Sequence, residues 1–228
     1  MLSNQEVNGI VRAIISFTES DTKNKQEKQN EQSDSEQTSS ITKVITNLQS
    51  LKDQILGNNG CKLVIQIPKL LQSLSALSRF KVGTHLREQT DMLRLQVRHQ
   101  SRWCLWNIQD YGDEQVQQEL VIKEYGRVIS LSFCTSGGIG DEKDAEIRDG
   151  LKRISRFLER LRYGSNDDWY PSFQPLPLLI RMSLEQIEEE GANEELEASM
   201  NNNGMNGHIK GDANEAKVVT LNNFIHRH

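Results

Sequence analysis

Apolar side chains recur at three- and four-residue intervals along nearly the whole of this chain, a period that fits helices and few alternatives. Val7, Ile10, Val11, Ile14, Ile15 and Phe17 mark one amphipathic stretch. Ile41, Val44, Ile45, Leu48, Leu51 and Ile55 mark another, and Ile147, Leu151, Ile154, Phe157, Leu158 and Leu161 a third. The longest helical segment is expected over 84–109, and a Glu-rich helix over roughly 178–200. Only VISLSFC, 128–134, hints at another period, and seven residues are too few to define a strand. It reads as a short core helix. The expected class is all-α.

The composition is low in apolar residues for a compact globule with a single core. Hydrophobic residues make up 36% of 228, and the mean hydropathy is −0.62. That suits an elongated fold or a core diluted by polar segments. One such segment, ESDTKNKQEKQNEQSDSEQTSS at 19–40, contains no apolar side chain. It is expected to be a disordered insert, because it cannot offset its ordering entropy by burial. Ser33 and Ser35 within it are open to two readings, phosphorylation sites or part of a solubilising linker. The chain then divides into an N-terminal helix over 1–18, the insert over 19–40 and helical repeats over 41–163. A connection over 164–177 with three of the four prolines and a helical tail over 178–228 follow. Pro68 is expected in the first turn of a helix.

Helix after helix with short breaks directs attention to repeats. Residues 103–133, WCLWNIQDYGDEQVQQELVIKEYGRVISLSF, resemble an armadillo repeat. Trp103 and Asn107 carry the W-x-x-x-N spacing at the end of one helix, with Leu105 and Ile108 at its apolar places. Gly112 falls in the break, Gly126 at the join of the next two helices, and Val128, Ile129 and Leu131 on the second of them. Weaker echoes are GIVRAIISF, IPKLLQSL, KVITNL with Asn47, LKRISRF with Leu151 and Ser155, and VTLNNF with Asn223. Some intervals between these exceed the repeat length of about 40–47 residues and require insertions. The resemblance implies an armadillo/HEAT-like α-α superhelix, short and irregular.

It also implies a function. In importin-alpha-like members, Trp/Asn pairs line a concave groove, where the amide bridges the backbone of an extended peptide and the indole receives Lys or Arg stems. Trp103, Asn107, Asn47, Leu151, Ser155 and Asn223 are the corresponding partner-binding candidates here. The chemistry is apt, since an amide offers donor and acceptor and an indole face attracts cations. The competing reading packs Trp103 between helices and bonds Asn107 to nearby backbone.

Other motifs are weaker. SGGIGDE, 136–142, offers Gly138 and Gly140 of a dinucleotide fingerprint but has Lys143 in the third glycine place. Asp141, Glu142, Asp144 and Glu146 would repel a phosphate, so the glycines are read as a corner. Lys152, Arg153, Arg156, Arg160 and Arg162 form a basic helical face. It is read as solvated, with an Asp149–Arg153 pair, rather than as a nucleic-acid site. His85, His99, His208, His226 and His228 lack metal-ligand spacing, and no cofactor or catalytic motif stands out. Cys61, Cys104 and Cys134 read as reduced thiols of a cytosolic or nuclear protein. A net charge of −5 does not favour nucleic acid, and no apolar run is long enough for a membrane span. The expectation is a non-catalytic protein-interaction scaffold that binds a protein or extended peptide. The alternative is a capping or self-associating end-module of a larger repeat protein.

Overall fold

The computed structural model describes residues 3–26, 34–56, 64–81, 88–133, 144–166, 168–201 and 208–221. Among these residues the chain is all-α, with ten helices and no strand beyond an isolated antiparallel bridge between Ser165 and Phe173. It divides into two compact units, Met1–Gly112 and Asp113–His228.

The first unit holds α1 (Asn4–Gln26), α2 (Asp34–Ile55), α3 (Leu70–Leu77) and α4 (Glu88–Asp110). A reciprocal cap opens α1. The backbone N–H and hydroxyl of Ser3 donate to Oε2 of Glu6 at 2.7 and 2.9 Å, and the Glu6 N–H donates to Oγ of Ser3 at 3.3 Å. This satisfies donors that a helix start otherwise leaves open. Val7, Val11 and Ile14 then enter the core. So do Ile41, Val44, Ile45, Leu48, Leu51 and Ile55 of α2, the full apolar set of that period. Helix α2 packs against α1 and α4, while α3 packs against α1 and α4. Each fully buried Leu or Ile contributes roughly 1.5–3 kcal/mol, which is why the period dominates the fold.

The insert expected over 19–40 differs from what is observed. Helix α1 continues through Gln26, and α2 begins at Asp34; 27–33, Ser33 included, lies outside the described residues. Two ion pairs link the polar extension of α1 to the turns on either side of α3. Glu19 pairs with Lys69 at 2.7 Å and Asp21 with Lys81 at 3.0 Å. Phe17 also packs its ring 5.6 Å from that of Phe80. Pro68 stands two residues before α3 rather than in its first turn, because Lys69, at φ 69°, intervenes as the cap.

The second unit holds α5 (Glu114–Ile122), α6 (Tyr125–Ser130), α7 (Asp144–Tyr163), α8 (Pro177–Glu189), α9 (Ala192–Ser199) and α10 (His208–Leu221). Asp113 caps α5 by accepting from the Val116 N–H at 3.2 Å. VISLSFC runs from α6 into a turn ending at Phe133, the last described residue there, and Val128, Ile129 and Phe133 are buried. The glycine corner at 136–142 lies outside the described residues. Ile147, Leu151, Ile154, Phe157, Leu158 and Leu161 form the buried face of α7, which packs against α6, α8 and α10. The Tyr125 and Phe157 rings meet edge to face at 5.1 Å. The expected single helix over 178–200 is two, α8 and α9. The chain turns at Gly191, whose φ of 68° is left-handed and ends a helix.

Candidate functional site

Helix α4 carries the Trp/Asn pair, and its phase shows what each residue faces. Cys104, Leu105 and Ile108 are buried. Trp103 stands half-buried beside them, its ring 4.6 Å from that of Trp106 in an edge contact and 6.1 Å from that of His99. Residues 99, 103 and 106 follow at helical spacing, so they share one face of α4. Helix α2 lies alongside: the Cys104 thiol donates to the Leu48 carbonyl at 3.4 Å. Burial pushes that thiol up to about 12.

From α2 comes a side chain that the sequence reading did not single out. Nζ of Lys52 lies over the Trp103 ring, 6.0 Å from its centre. The distance is at the outer limit of a cation–π contact. The period could have suggested this neighbour, since Lys52 lies one residue beyond Leu51 on a helix known to pack inward, but helix pairing had to be known first.

Asn107 turns inward. It is only 5% exposed, and its Nδ2 donates to the Trp103 carbonyl at 2.7 Å, one turn back on the same helix. Asn47 of α2 is half-buried, one residue before Leu48. In the second unit, Leu151 is fully buried at 0% exposure, and Ser155 is buried with Oγ donating to the Leu151 carbonyl at 3.1 Å. These two do not form an accessible contact surface: both lie on the inward face of α7, with Ile154 and Leu158. Asn223 lies outside the described residues. Trp103, Asn107 and Asn47 thus belong to the first unit, and Leu151 and Ser155 to the second.

The basic face of α7 carries more contacts than solvation alone provides. Arg153 approaches Asp149 at 3.9 Å, as the i,i+4 spacing predicts. The guanidinium of Arg156 stacks 5.0 Å from the Tyr170 ring, and that of Arg160 lies 5.4 Å from Tyr170 and 5.3 Å from Phe173. The aromatic rings beside these arginines, Tyr170 and Phe173, come from the proline-rich connection. Among the described residues, no group of three or more His, Cys, Asp or Glu is placed to hold a metal, and no helix is long and apolar enough to cross a membrane. No protein-family model matches the chain, and no curated protein matches it in sequence.

Proposed function

We propose that this chain is a non-catalytic interaction scaffold of armadillo-like type that binds an extended, Lys- or Arg-bearing protein segment on the α2/α4 face. The observation that carries this reading is Lys52 over Trp103: the half-exposed indole already accepts a cation on its face. A partner's lysine or arginine stem would take the place of Lys52. The armadillo-like type rests on the resemblance of residues 103–133, with Trp103 and Asn107 on one helix, α4. A cytosolic or nuclear setting, without cofactor, nucleic acid or membrane, belongs to the same reading.

The test is binding of Lys/Arg-containing peptides to the full chain. Trp103→Ala should weaken binding at least about tenfold, and Lys52→Gln should strengthen it by vacating the ring. Unchanged binding by a folded Trp103→Ala variant overturns the site.

One observation favours the end-module alternative. The Asn107 amide donates within its own helix and is buried, so it offers little to a foreign peptide unit. On that reading Trp103 and Lys52 are mutual packing, and the chain caps or self-associates. A concentration-dependent dimer in light scattering, with no peptide binding, would support it.

A further inference from the structure

Helix α10 owes little of its stability to its own sequence. HIKGDANEAKVVTL contains Gly211, Asp212, Asn214, Val218, Val219 and Thr220, all poor helix formers. A Cβ built on Gly211 meets no atom within 4 Å, so packing does not require a glycine there. The first turn carries no acidic residue but does carry Lys210, and the last turn carries no basic one. The charges therefore do not complement the helix dipole.

The hold of α10 on its unit is light as well. Its buried stripe consists of Ile209, Ala213, Ala216, Val219 and Thr220, and the two alanines bring a single methyl group each. Val218 and Leu221 stay 56% and 47% exposed. Three polar contacts fasten the helix. Nε of Arg148 donates to Oδ2 of Asp212 at 3.0 Å, Nη2 of Arg162 to the Val219 carbonyl at 2.8 Å, and Nζ of Lys217 to Oε1 of Glu197 on α9 at 3.0 Å. The Glu197 carboxylate is largely exposed, so solvent and salt weaken that last pair.

Helix α7, on which α10 lies, is the reverse case. It buries Ile147, Leu151, Ile154, Phe157, Leu158 and Leu161, and it packs against α6 and α8 as well as α10. Loss of α10 leaves those two neighbours in place. An isolated helix of 14 residues is marginal in water even with a favourable composition, so α10 melts once it leaves α7. Elements with few buried apolar contacts are the ones that open first. We propose that α10 is a detachable strap, which unfolds from α7 as a unit while α7 and α8 stay folded, and re-forms on docking. Its release uncovers the side of α7 that it occupies. This strap is independent of the α2/α4 face and holds whether or not that face takes a peptide.

Hydrogen–deuterium exchange of the full chain, read by mass spectrometry, tests it. Amides of α10 should be at least about tenfold less protected than those of α7. Their exchange should respond weakly to urea below the unfolding midpoint, because local melting exposes little surface. Gly211→Ala should raise the protection of α10 about two- to fivefold, the preference of a helix for alanine over glycine. Arg148→Met should lower it, and Lys217→Met should lower it by less, since Glu197 is more exposed than Asp212. An α10 that exchanges as slowly as α7, with the same urea slope, opens only with the whole unit and overturns the proposal. So does a Gly211→Ala variant with unchanged α10 protection, because the helix then does not melt on release.

Discussion

Nη1 of Arg98 lies 3.3 Å from the carbonyl oxygen of Phe80, so a guanidinium only 1% exposed closes the chain just past α3. One turn further along α4, Nη2 of Arg102 donates to the Ser78 carbonyl at 3.3 Å. Helix C-termini leave carbonyls without intrahelical partners, and these two cations serve that end of the first unit. Arg98→Met keeps most of the side chain's volume and removes its donors. It should cost about 1.5–3 kcal/mol, the range for a bond to a charged group. Urea unfolding reads this as a lower midpoint with an unchanged slope. Arg102→Met acts on the same turn, so the two losses should not add.

The cap of α1 gives a pH dependence with a defined sign. Hydrogen bonds from the Ser3 backbone and hydroxyl hold the Glu6 carboxyl below its ordinary value. A lowered folded value means that the stabilisation is present above the unfolded carboxyl's pKa and disappears as pH falls through the folded one. Ser3→Ala should move the Glu6 titration, followed by NMR, upward towards the ordinary carboxylate range. Glu6→Gln should remove this acid-side component of α1 stability.

How much of this was legible in the sequence depends on the range of the forces involved. The buried faces of α2 and α7 were readable residue by residue, because a period of 3.6 is local information. The extension of α1 over 19–26 was not. It carries no apolar signal, and its partners Lys69 and Lys81 lie some fifty to sixty residues on, in turns whose approach no pattern announces. The candidate site divided in the same way. That Trp103 and Asn107 share a helix end was visible, whereas the inward turn of Asn107 and the placement of Lys52 over the indole depend on how α2 meets α4. Leu151 and Ser155 were drawn from the repeat resemblance, although the apolar period containing Leu151 already argued for an interior position.

Cys104 should be chemically silent in the folded chain. Burial raises its thiol to about 12, so the thiolate that reacts with alkylating reagents is scarce at neutral pH. In a Cys61→Ser, Cys134→Ser background, iodoacetamide should label the native protein slowly and the urea-unfolded protein fast. The linkage runs opposite to that of Glu6. The folded value is raised, so this stabilisation is complete below the unfolded thiol's pKa and is lost as pH climbs towards the folded one. Cys104→Ala should therefore flatten the alkaline side of the stability profile.

Gly164 is where α7 hands over to the connection that bears Trp169. Its φ of 78° is left-handed, and a Cβ built there would sit 2.4 Å from the Phe173 carbonyl oxygen. That oxygen already accepts the Ser165 N–H at 2.8 Å, so it cannot withdraw without opening the bridge. Gly164→Ala should cost about 1–2 kcal/mol from the backbone conformation alone and more from the contact. The connection should loosen before the unit unfolds, since α7 is anchored separately by Phe157, Leu158 and Leu161. Limited proteolysis by an aromatic-directed protease checks this: cleavage at Trp169 or Tyr170 should accelerate, with helical circular dichroism largely retained. Gly164→Asn separates the two causes. Asparagine tolerates a left-handed φ but carries the same Cβ. If the contact dominates, both variants loosen the connection alike; if the backbone dominates, Asn stays close to wild type.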